Sequence, residues 1–220
     1  MENMKRYAVY YAPRAGGFAD RAGEWLAGGV DLPGLPRPAA EITGEPRRYG
    51  FHGTIRAPFR PAEGVDGVAI NAVVAALAAK LAPVVCEGLA VENLHGFLAL
   101  TPLGCEAALL EMGAAVVEGT NGLRAPLSEA EIARRRPDRL SARQRVLLDH
   151  WGYPHVMEEF RFHLTLTDRL PDAEAAAVAT VVGAWIAPVL PRPFVIEDLC
   201  LFGEDAGGAF RLLHRHALTG

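Results

Sequence analysis

The sequence contains no apolar run, free of charge and proline, that approaches the roughly 18 residues a membrane helix needs, so no membrane partner is expected. Cysteine is scarce. The three that occur, Cys86, Cys105 and Cys200, are odd in number and widely spaced, and two sit in apolar strand-like stretches. Reduced core thiols are therefore expected in place of a disulfide framework or a zinc knuckle. Basic residues are not in excess: 22 Lys and Arg stand against 26 Asp and Glu, a formal charge of −4, which argues against a dedicated nucleic-acid wrapper. The start, Met1 to Arg6 followed by Tyr7-Ala8-Val9-Tyr10-Tyr11, has neither the long apolar region nor the small-residue cleavage site of a secretion signal, so a cytoplasmic location is expected.

What is present suffices for a core. Half of the 220 residues are hydrophobic, and the length suits one large domain or two fused lobes, given domains of roughly 100 to 200 residues. An internal repeat organises them. His52-Gly53-Thr54-Ile55 and His163-Leu164-Thr165-Leu166 share the pattern His-x-Thr-aliphatic, 111 residues apart. Each is followed by an Ala- and Val-rich helical stretch, Val68 to Leu81 and Ala173 to Ile186. Each helix ends at proline and leads into an apolar strand, Val84 to Leu89 and Phe194 to Leu199, and then a second one, His95 to Pro102 and Ala209 to Leu218. The first strand, Arg6 to Ala12, and its helix have a counterpart in His95 to Pro102 and the helix from Glu106. The expected fold is α+β: a single bilobal domain over 1–220, with repeat halves at about 5–102 and 95–218 and two antiparallel sheets facing a central cleft, helices outside. Gly28 to Pro38 reads as a loop. Residues 119–152 break the symmetry as an Arg-rich helical insertion, with Ser128 and Ser141 as N-cap candidates.

Side chains alternate faces along a strand, so His52 and Thr54 share a face, as do His163 and Thr165. A cleft lined by two imidazoles and two hydroxyls suits a tetrahedral phosphate. Histidine titrates near neutrality, so one copy can accept a proton while the other donates one. The threonines supply neutral donors to the non-bridging oxygens. A lone His-x-Thr would be read as an ordinary strand residue pair; two copies in matching surroundings read as chemistry.

The paired motifs resemble the signature of the 2H phosphoesterase superfamily, which includes cyclic nucleotide phosphodiesterases and 2′-5′ RNA ligase-like proteins. The stretches from Arg48 to Phe59 and from Trp151 to Thr167 are similar to a subfamily of uncharacterised proteins often associated with bacterial phosphonate-utilisation genes. The resemblance covers nearly the whole chain. It implies a bilobal fold, His52 and His163 in catalysis, Thr54 and Thr165 on phosphate, no metal and no cofactor. Two departures stand out: a lysine is expected where Arg56 stands, and a small residue other than glycine at Gly53.

Further candidates extend the site. Arg56 lies two residues beyond Thr54 and Arg161 two before His163, so both are candidate phosphate binders. Tyr10, facing away from Tyr7, Val9 and Tyr11, and Tyr153, in the Trp151-Gly152-Tyr153-Pro154 turn, are candidate substrate contacts. His214 and His216 have chelate spacing but read as surface strand. His150 and His155 flank the turn. The arginines between 134 and 145 read either as a lid or as a solvated face. The expected partner is a small phosphorylated molecule, a cyclic phosphate or a phosphorylated sugar of phosphonate breakdown. RNA-end processing is the alternative, and a non-catalytic metabolite sensor a third reading. Oligomeric state is not indicated.

Overall fold

The computed structural model describes residues 4–220, so Met1 to Asn3, part of the start read above, lie outside the described residues. The chain runs β1 (Arg6–Tyr11), α1 (Gly17–Ala27), the short α2 (Ala39–Ile42) and α3 (Gly44–Tyr49), β2 (Gly53–Phe59), α4 (Gly67–Ala78), β3 (Val84–Cys86), β4 (Gly88–Asn93) and β5 (Leu98–Leu103). It continues through α5 (Glu106–Asn121), α6 (Glu129–Arg134), α7 (Ala142–Trp151), β6 (Leu164–Thr165), α8 (Asp172–Ile186), β7 (Phe194–Ile196), β8 (Asp198–Glu204) and β9 (Phe210–Ala217). Helices α6 and α7 lie in the Arg-rich stretch 119–152, and each begins at a capping box, Ser128 with Glu131 and Ser141 with Gln144.

All pairings of named strands are antiparallel. Seven strands form one sheet in the order β4-β5-β6-β2-β1-β8-β9, and β3 pairs with β7 separately. The expected repeat halves can be laid onto this order. On one side stand β2 and β1 of the first copy with β8 of the second; on the other stand β6 and β5 of the second with β4 of the first. β2 and β6 meet at Gly53 opposite Leu164, which joins the two sets of strands side by side. Each copy's expected strand after its helix is in fact two. Glu87 and Glu197 mark the points where the chain leaves the β3–β7 pair and enters the large sheet.

The helix-covered face carries the main core, built from Tyr7, Val9, Ile55, Leu98, Leu100, Leu164, Leu166 and the apolar stripes of α1, α4, α5 and α8. One helical stretch, Asp172–Val189, is long and apolar enough to cross a membrane by length and composition. Its Ala175, Val178, Val182 and Ile186 recur at helical spacing and are buried in that core.

The cysteine expectation needs correction. Cys86 and Cys105 are joined in a disulfide, while Cys200 is free and buried. Gly88 pairs with Leu103 at the end of the β4–β5 hairpin, and two further residues on each side bring Cys86 opposite Cys105, with Cα atoms 5.0 Å apart. Spacing along the sequence carries no trace of this until the hairpin register is known.

Candidate active site

The junction between the two halves of the sheet sets the site. With Gly53 opposite Leu164, the antiparallel register places His52 beside Thr165 and Thr54 beside His163. All four point to the open face, and Phe162, Leu164, Leu166 and Ile55 go into the core. The two histidines are diagonal neighbours, a relation that spans about 7 to 8 Å between backbone positions. Each precedes its strand's first residue, which leaves its imidazole at the strand entrance.

Both imidazoles are held by the same local device. Nδ1 of His52 lies 3.0 Å from the Gly50 carbonyl oxygen, and Nδ1 of His163 lies 2.8 Å from that of Arg161. A carbonyl only accepts, so Nδ1 carries the proton in each ring and Nε2 is the free nitrogen. An aromatic ring supports each imidazole. Tyr10 stacks on His52 with ring centres 4.1 Å apart, and Phe97 lies tilted against His163 at 5.6 Å. Burial pushes the His52 pKa below the ordinary histidine value; the Gly50 carbonyl opposes this and the nearby His163 reinforces it.

Two adjoining cavities flank the junction. One, of about 410 Å³, is lined by His52 and Thr165 with Tyr49, Pro46 and Asp168. The other, of about 700 Å³, is lined by His163 and Thr54 with Tyr153, His95, His155 and Arg161. Phe97 and Arg169 line both. The pairing is thus crossed: each cavity holds the histidine of one copy and the threonine of the other.

The remaining candidates divide. Arg161 lines the larger cavity, with Nη1 donating to the carbonyls of Glu158 and Phe160. Tyr153 lines it too, under the Arg135 guanidinium 4.8 Å from its ring centre. Tyr10 lines neither cavity and is 2 % exposed; it touches His52, which makes it a support for that ring. Arg56 lies away from both cavities. The β1–β2 register passes from Tyr10 opposite Thr54 to Val9 opposite Arg56. This irregularity uses two residues of β2 for one of β1 and so breaks the alternation that placed Arg56 beside Thr54. Arg56 turns with Val9 toward the helix side, 1 % exposed, where Nη1 donates to the Trp151 carbonyl. Burial, then the neighbouring Arg124, lowers its pKa to about 10. Arg124 itself donates to the His150 carbonyl, so two guanidiniums hold the C-terminus of α7. His214 and His216 stack on each other on β9, and Nε2 of His216 meets Asn71. Among the described residues no three His, Cys, Asp or Glu side chains come together as a metal site.

Several cavity residues were not foreseen, Arg169, Phe97 and His95 among them. Arg169 lies four residues beyond Thr165, past the end of β6. Phe97 and His95 come from the tight turn of the β4–β5 hairpin, where His95 and Gly96 have φ of 56° and 103°. Arg169 Nη1 donates to the His95 carbonyl at 2.7 Å and ties that turn to the segment after β6.

Fold and site together define an antiparallel α+β protein with two crossed histidine–threonine pairs at the seam of a duplicated sheet. The chain belongs to the family described as "Protein of unknown function (DUF1045)", whose model matches residues 54–211. It is 36 % identical over 223 residues to a protein of Janthinobacterium sp. (strain Marseille) named ribose 1,5-bisphosphate phosphokinase PhnN, covering 94 % of this chain and 49 % of the relative. It is also 36 % identical over 218 residues to one of the same name from Laribacter hongkongensis (strain HLHK9), covering 94 % of this chain and 50 % of that protein. The chain spans about half the length of these curated relatives. Similar solved structures include TT0787 of Thermus thermophilus, at 15 % identity and TM-score 0.48, covering 98 % of each chain. Another is E. coli LigT complexed with 3′-AMP, at 13 % identity and TM-score 0.48, covering 100 % of each chain.

Proposed function

We propose that this chain is a phosphodiesterase that hydrolyses a small cyclic phosphate by paired-histidine acid–base catalysis without a metal ion. The observation that carries the reading is the matched pair of imidazoles, each with Nδ1 satisfied by the carbonyl two residues upstream and Nε2 left for chemistry. We assign His52, whose pKa desolvation lowers, as the base. Its Nε2 takes a proton from water as the water oxygen bonds to phosphorus. His163 is assigned as the acid: a proton on its Nε2 passes to the alkoxide as the ester P–O bond breaks, and a phosphomonoester results. The hydroxyls of Thr54 and Thr165 donate to the non-bridging oxygens from opposite sides of the seam.

The phosphokinase name of the relatives is not carried over. The match covers only half of those proteins, and this chain has no Gly-x-x-x-x-Gly-Lys-Ser/Thr segment to cradle a nucleotide triphosphate. The sugar bisphosphate in that name is of the same chemical kind as the phosphorylated sugar that the family resemblance implies, and a cyclic phosphate on such a sugar fits the reaction proposed. The test is turnover of purified protein on a panel of cyclic and linear phosphodiesters, RNA 2′,3′-cyclic ends included, in the presence of EDTA. Release of phosphomonoester from a small cyclic diester is expected. Turnover only after a metal is added back, or on RNA ends alone, would replace this reading.

A further inference from the structure

The larger cavity holds more positive charge than one phosphodiester uses. Arg161 and Arg169 both line it, beside His95 and His155, and its one carboxylate, Glu159, accepts a hydrogen bond from Gln144. Neither guanidinium stands within salt-bridge distance of a carboxylate among the described residues, whereas Arg6, Arg14, Arg37, Arg60 and Arg215 all do. Both are exposed, and each uses Nη1 on backbone carbonyls, which fixes its course along the wall. The remaining nitrogens of two planar, permanently charged donors thus border a space of about 700 Å³ that a single phosphoryl group at the seam leaves mostly unfilled. In a chain with a formal charge of −4, such a pair next to a reaction centre is an anion subsite.

We infer that the substrate carries a second phosphate, a phosphomonoester bound between Arg161 and Arg169, while its cyclic phosphodiester sits at the His–Thr seam. This rests on the phosphodiesterase reading and narrows it to an already phosphorylated cyclic phosphate. The product is then a bisphosphate: water opens the ring, one P–O bond breaks and one forms, and the second phosphate is untouched. Guanidiniums favour this assignment over a carboxylate, because two forked donors match the three oxygens of a dianionic phosphate.

The test compares adenosine 2′,3′-cyclic phosphate with its 5′-phosphorylated form as probes. The second phosphate should raise kcat/KM by roughly 10- to 100-fold, the worth of one charge-assisted contact. In Arg161→Gln and Arg169→Gln that ratio should collapse toward one, and in Arg211→Gln, at the far edge strand, it should persist. Calorimetric binding of the matching mono- and bisphosphate products to His52→Ala reads the subsite without turnover. Equal kcat/KM for the two probes, or an equal loss of the ratio in Arg211→Gln, overturns the subsite and leaves the phosphodiesterase standing. Absence of turnover on both probes with tighter bisphosphate binding overturns the phosphodiesterase and leaves the subsite.

Discussion

Partial burial sets the His52 pKa below the ordinary histidine value of 6.5, and two consequences follow. As a base it must be unprotonated, so the acid limb of the kcat/KM profile should fall below pH 6.5. Its folded pKa is depressed relative to the unfolded chain, so the unfolded state binds more protons as pH falls. The stability associated with neutral His52 is present above 6.5 and is lost as pH drops below that value. Melting temperature measured against pH should decline over that window in the wild type and less so in His52→Gln. Alanine at His52 or at His163 should each lower kcat by roughly 10² to 10⁴; wild-type turnover in both would remove the paired mechanism. Tyr10 adds a finer test. Tyr10→Phe keeps the stacked ring, whereas Tyr10→Ala opens it, and should move the acid limb upward as well as lowering kcat. The His-x-Thr residues and the outward turn of Tyr10 were legible because strand alternation is local. Arg56 was misplaced because one bulge inverts that alternation, and a bulge leaves no mark in a single sequence.

At the level of elements, the seam between β2 and β6 is held by a glycine. A Cβ on Gly53 would fall within the Phe162 ring, 2.6 Å from Cε2, so the aromatic of one motif occupies the space that the other motif's side chain would need. This accounts for the departure at Gly53 noted in the sequence. Gly53→Ala should cost about 1 to 3 kcal/mol by overpacking and lower activity with it, since both His–Thr pairs hang on that bridge. Adding Phe162→Leu should return part of both. The coupling can be read from denaturant unfolding of the two single variants and the double; additive losses would mean the ring and the glycine do not meet. Helices α4, α5 and α8, the capping box at Ser128 and the strand order of each copy were readable from periodicity and punctuation. The split of each later strand at Glu87 and Glu197 was not, because continuous apolar character looks the same whether a strand stays in one sheet or passes between two.

For the whole molecule, the expected repeat halves, laid onto the strand order, exchange strands. β4 completes the half that holds β5 and β6, and β8 completes the half that holds β1 and β2. The duplication was visible as a repeat; the exchange was not, since it depends on which edges pair after the chain has folded back. The disulfide sits at this crossing. Cys86 ends β3 in the first copy, and Cys105 is the residue before α5 in the second, 19 positions later. Closing a loop of that size lowers the entropy of the unfolded chain enough to add about 3 kcal/mol to stability, in the chain-entropy account. Neither cysteine lines the cavities. The paired variant Cys86→Ser/Cys105→Ser should therefore unfold at lower denaturant, by about that free energy, while retaining kcat on a cyclic phosphate well below the unfolding midpoint. Reductant should shift the wild type toward the variant and leave the variant unmoved. If reductant leaves the wild-type midpoint in place, the bond contributes nothing to stability, and the β4–β5 register alone holds the crossing.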